Sequence, residues 1–188
     1  MTSHAFTREQ TWSLLCEHTQ SESLRKHALS VEAAMRHYAT HFESDVDLWG
    51  RIGLIHDFDY EKYPDATDHP YKGAEILKAA GWPDEHIQCI MSHASYTGVP
   101  RTSLMARALF AVDELCGFVT AVTLVRPSRK VCDVQVKSVK KKMKQKSFAA
   151  QVSREDIQQG ALLLDLELDA HIGHVLTAMQ GAADVLGL

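Results

Sequence analysis

The chain has 188 residues, 45% of them hydrophobic and 23% charged, with a formal net charge of −4, the balance of an ordinary globular protein long enough to bury a core as one domain. Cys16, Cys89, Cys116 and Cys132 are widely spaced and form no C-x-x-C pair, which argues against a zinc ribbon or a disulfide framework and for reduced thiols in a cytoplasmic setting. Met1-Thr2-Ser3-His4 lacks the basic-then-apolar pattern of a secretory signal, and the charges Arg107, Asp113 and Glu114 break the longest apolar tract, Leu104 to Val125, at roughly 2.5–3.5 kcal/mol each near a bilayer centre.

Apolar residues recur with a period near 3.6 and strand-like alternation is nearly absent, which predicts an all-α fold. Thr7 with Gln10 makes a capping box for a first helix over about 8–18. A second is predicted over 22–42, with Leu24, Ala28, Val31, Met35, Tyr38 and Phe42 on one face. Ser44 or Asp45 caps a third, about 46–56, that ends in His56-Asp57. Residues 59–68 read as a polar loop, Pro70 opens a fourth helix stopping at Gly81, and Pro83 starts a fifth that reaches about Ala94. Beyond the loop at 96–100, Thr102 or Ser103 caps a long sixth helix, broken by Arg126-Pro127-Ser128. A lysine-rich helix over 134–146 follows, then one capped by Ser153 with Asp156 at its third position, and a closing helix over 170–186. The expected organisation is a single compact bundle, with a core at about 22–126 and a helical extension at about 130–188. Nothing beyond Lys146 carries visible chemistry, so those helices are expected to pack the core or form a subunit contact.

Several polar side chains stand in apolar company. Gly53-Leu54-Ile55 runs straight into His56 and Asp57, and burying an imidazole and a carboxylate there is costly unless they are paired. His27 falls at the edge of the buried stripe of its helix. Asp113 lies within Ala108–Phe118, where Glu114 is the only other charge. Arg107 is about 240° away around that helix and cannot easily pair with it. Such a carboxylate needs a metal, a cation from another helix, or a raised pKa. His69 sits at the mouth of a helix whose Gly73 admits a close neighbour, and His93 follows Ile87, Ile90 and Met91. His37 lies well off the apolar stripe; with His41 at i, i+4 it makes a spacing able to bind a metal, though solvated surface histidines are the favoured reading.

In chain order His27, His56-Asp57, His69, His93 and Asp113 spell H…HD…H…H…D, and His69 to Leu77 reads His-Pro-x-x-Gly-Ala-Glu-Ile-Leu. On these residues, over about Leu24 to Val125, the chain resembles the HD superfamily (HDIG-type) of metal-dependent hydrolases. The resemblance implies a helical HD domain in which His27, His56, Asp57 and Asp113 hold one ion, His69 and His93 hold a second, and Asp57 bridges the two. It implies hydrolysis of a small phosphate ester, possibly a nucleotide, by metal-bound hydroxide. Ligation by histidine and carboxylate alone suits Fe, Mn, Co, Ni or Zn. One branch of the superfamily uses the same six ligands as a mixed-valent di-iron oxygenase, and a non-catalytic regulator is a third possibility. Common members read His-Asp-Ile-Gly-Lys where this chain has His56-Asp57-Phe58-Asp59-Tyr60, so Tyr60 stands in place of a lysine.

Further candidates surround this set. Asp59, Glu61 and Asp65 directly follow the ligand pair, and Asp59 is the candidate general acid or base beside Asp57, or else a turn former. Tyr60, Tyr63 and Tyr96 are candidates to stack on a planar ligand or to anchor the loop. Lys137, Lys140, Lys141, Lys142, Lys144 and Lys146 form a run without an acid. It reads as a solvated face or as a phosphate-attracting rim in which Lys141 takes part, with nucleic-acid binding the least favoured. Arg126 offers a fork suited to phosphate at the end of the sixth helix. The expected partner is a small phosphorylated substrate, with no membrane.

Overall fold

The computed structural model describes residues 6–188, so the reading of Met1 to His4 lies outside the described residues. The described residues are helical without strands, as the periodicity predicts. The helices are α1 Arg8–His18, α2 Glu22–His41, α3 Val46–Ile55, α4 Tyr71–Ala79, α5 Asp84–Met91, α6 Leu104–Leu124, α7 Val136–Met143, α8 Arg154–Leu163, α9 Leu168–Gly181 and α10 Ala183–Leu186. The Thr7–Gln10 capping box is present, and Ser21, Asp45, Ser103 and Ser153 each accept a bond from the first turn of their helix. Two expected elements differ. The closing helix is divided at Ala182 into α9 and α10, and the lysine-rich helix is confined to α7, where like charges at i, i+4 oppose its extension.

Why the elements pack as they do follows from their faces. α6 is apolar almost all round, with Leu109, Val112, Leu115, Phe118 and Val119 fully buried, so it becomes the central helix. α2 lies against α6 with Val31, Ala34 and Met35 inward. α3 crosses α2 closely because Gly53 has no side chain: a Cβ there would meet the Val31 carbonyl oxygen at 3.0 Å. α8 seats on α6 through Gly160, whose added Cβ would stand 2.6 Å from the Ala111 Cα. The chain after residue 130 is therefore not an appendage, since α8 packs on α6 and α9 on α2.

The α2–α9 contact also corrects the reading of His37. That ring is half-buried, with Nε2 2.9 Å from His174 Nδ1, because α9 covers a second flank of α2 that the apolar stripe does not mark. His41 is exposed as expected. Deeper in the same contact the Tyr38 hydroxyl donates to His171 Nδ1 at 2.6 Å, and His171 Nε2–H donates to the Ala111 carbonyl at 2.9 Å. All four cysteines are free. Among the described residues no helix is long and apolar enough to cross a membrane.

Candidate metal centre

Five segments deliver the six side chains to one place. His27 comes from the first turns of α2, His56 and Asp57 follow the last residue of α3, His69 precedes α4, His93 follows α5, and Asp113 lies midway along α6. They form two triads, His27 with His56 and Asp113, and Asp57 with His69 and His93, the donor atoms of each lying within 4.8 Å of one another. His27 Nε2 is 3.0 Å and His56 Nε2 3.4 Å from Asp113 Oδ1. His69 Nε2 and His93 Nε2 are each 3.2 Å from Asp57 Oδ1 and 3.3 Å from one another.

The far side of each ring decides what the near side offers. His56 Nδ1 lies 2.8 Å from the Gly53 carbonyl, and His93 Nδ1 lies 2.6 Å from the Ile90 carbonyl. A carbonyl only accepts, so both Nδ1 atoms carry the proton and the neutral rings turn a bare Nε2 toward the cluster. His69 is fixed likewise, Nδ1–H donating to Asp59 Oδ1 at 2.9 Å. His69 Nε2, His93 Nε2 and Asp57 Oδ1 are then three acceptors facing one point, and His56 Nε2 is buried without a hydrogen bond. A cation is the group that satisfies such an arrangement, so the donor set fits a metal. Protons compete with a cation for these positions, because the carboxylates also favour the charged rings of His56, His69 and His93. Burial opposes charge on His69, yet its bonds to Asp57 and Asp59 prevail and lift its pKa to about 9. Burial likewise works against the Asp57 and Asp113 carboxylates, but the histidines around them, His56 foremost, hold both below the ordinary range.

Asp59 is not where a general acid must be. It is fully buried behind His69, with Oδ1 on His69 Nδ1–H and Oδ2 accepting the Gly73 amide at 2.8 Å. Its part is to orient His69, as carboxylates behind ligating histidines do. Gly73 makes this possible, since a Cβ there would meet Asp59 Cγ at 2.8 Å. Glu61 serves the backbone instead, accepting the amides of Gln20 and Ser21 at the entrance of α2.

A cleft of about 440 Å³ opens onto the cluster. Tyr60 and Tyr96 line it, and the Tyr96 hydroxyl donates to the His69 carbonyl at 3.0 Å. Tyr63 is not part of that lining. Neither Lys141 nor Arg126 belongs to it, and among the described residues no lysine or arginine lines it. Lys141 borders a separate groove with Lys137, Lys140, Lys144 and Asp169. Arg126 lies thirteen residues beyond Asp113 on the α6 path, roughly 20 Å along a helix axis.

The cleft also holds residues that the sequence reading passed over: Phe110, Glu114, Gln151, Val152 and Asp156. Glu114 Oε2 accepts the Ser153 amide at 3.1 Å, tying the start of α8 to the helix that carries Asp113. Burial, then the neighbouring Asp113, pushes the Glu114 carboxyl up to about 7. Its position beside Asp113 in an apolar run is a signal that sequence alone offers. Residues 151–156 offer none. Compared with known proteins, no family profile, no curated protein and no solved structure matches the chain. What the cluster can do is therefore set by its donors and their surroundings.

Proposed function

We propose that this chain is a metal-dependent hydrolase of small phosphate esters, working at a pair of divalent ions held by His27, His56, Asp57, His69, His93 and Asp113. One observation carries the reading. The carboxylate of Asp57 faces both triads, with Oδ1 toward His69 and His93 and Oδ2 3.9 Å from His56 Nε2, so one side chain can serve two ions at once. The resemblance to the HD superfamily supports it. When bound, such a pair supplies Lewis acidity toward a phosphoryl oxygen and lowers the pKa of water. The protein supplies the rest: Asp59 holds His69 in the ligating tautomer, and Tyr60 and Tyr96 flank the approach.

A second reading is a di-iron oxygenase on the same ligands. It is favoured by one feature, the lack of lysine and arginine in the cleft lining among the described residues, which suits an uncharged substrate. The test is anaerobic purification with metal analysis, reconstitution with Mn²⁺, Co²⁺, Zn²⁺ or Fe²⁺, and a phosphoester panel. Phosphate release without O₂, abolished together with metal content in Asp57→Ala and unaffected in His41→Ala, is the expected result. O₂ consumption by an iron-loaded protein that releases no phosphate would establish the second reading. Equal behaviour of the two variants would overturn both.

A further inference from the structure

We infer that the molecule accepted by this cleft carries one phosphoryl group and an organic part that is neutral or cationic and bears N–H or O–H donors, so that polyphosphates and acid-bearing esters are excluded. The inference rests on the hydrolase reading and names its substrate class.

Formal charge gives the first argument. Two divalent ions would bring four positive charges, Asp57 and Asp113 offset two of them, and the dianion of a phosphomonoester together with the attacking hydroxide more than offsets the other two. Nothing is left at the centre for a second phosphoryl group. The walls give the second argument. Beyond the ligands the cleft presents the carboxyl group of Glu114, the carboxylate of Asp156, the amide of Gln151, and the rings of Tyr60, Tyr96 and Phe110. Arg101 stacks on Phe110 with its guanidinium carbon 3.7 Å from the ring centre, but it is held by the His93 carbonyl and the Ser95 hydroxyl and does not line the cleft. The lysines of α7 border their own groove. A β-phosphate or a substrate carboxylate would thus enter a space of about 440 Å³ whose lining holds acids and no lysine or arginine, the nearby Arg101 being engaged behind Phe110 and within the field of Asp156, and such juxtaposition of like charge is disfavoured. An ammonium, a hydroxyl or an exocyclic amine finds acceptors there, and a planar group finds aromatic faces.

Two matched pairs of probes test this on the Mn²⁺-loaded protein without excess metal: AMP against ATP, and O-phosphoethanolamine against phosphoglycolate. Both kcat/KM and calorimetric Kd are measured. The first member of each pair is expected to be favoured roughly tenfold or more, and Glu114→Gln with Asp156→Asn should move both ratios toward one. ATP or phosphoglycolate performing as well as its partner, or ratios that the double variant leaves unchanged, would overturn the inference. Absence of phosphate release from all four probes with the binding preference intact would instead defeat the hydrolase reading and overturn the molecule's standing as a substrate, leaving only its class as a ligand.

Discussion

Asp59 stands two positions after Asp57, yet its carboxylate turns away from the cleft to hold His69 and the Gly73 amide. Asp59→Asn leaves one of these two N–H groups facing an amide nitrogen. We expect metal affinity to fall about 10–100-fold with the fold retained, measured by competition with a chelator and by circular dichroism. An unaltered affinity would show that His69 needs no support. The clustering of the six side chains was legible in the sequence because metal-capable side chains rarely sit beside runs such as Gly53-Leu54-Ile55 or Ala108–Val112 unless something holds them. The role of Asp59 was not, since spacing does not say which way a side chain points. The same holds for Lys141 and Arg126, whose chemistry suits phosphate but whose positions lie off the cleft lining.

Helices themselves were easy to read, because periodicity and caps are local and Thr7, Asp45, Ser103 and Ser153 each mark an entrance. Which helix meets which was not, for contacts between distant segments leave no local trace. Gly160 illustrates this: it looks like an indifferent residue within α8, yet it is the point where α8 touches α6. Gly160→Ala would bring a methyl to 2.6 Å from backbone, and about 1–3 kcal/mol of stability should be lost as the helices part. Gly173 in α9 has nothing within 4 Å of an added Cβ, so Gly173→Ala should stabilise by about 0.5–1 kcal/mol through helix propensity alone. Urea midpoints of the two variants, shifting in opposite directions, check both statements. Similar shifts would show that the α6–α8 contact is looser than it stands.

For the molecule as a whole, acid sensitivity concentrates where α9 meets α2. Burial pushes the pKa of His171 down to about 4, and burial lowers His37 and His174 as well. A histidine kept neutral in the fold and free to charge near pH 6.5 when unfolded contributes stability that is complete above that pH and lost as pH falls toward the folded value. For His171 the loss should reach about 3 kcal/mol between roughly pH 6.5 and 4. Urea unfolding of wild type and His171→Gln across that range should show the steeper decline in the wild type; parallel curves would remove His171 as the cause.

The Glu114–Ser153 bond and the neighbouring residues 151–156 carry one more consequence. On the proposed reading, reactivity belongs to positions 27–113, whereas part of the mould around the guest is drawn from a stretch some forty residues downstream of Asp113. Relatives that diverge there could trade one guest for another while leaving the reaction untouched.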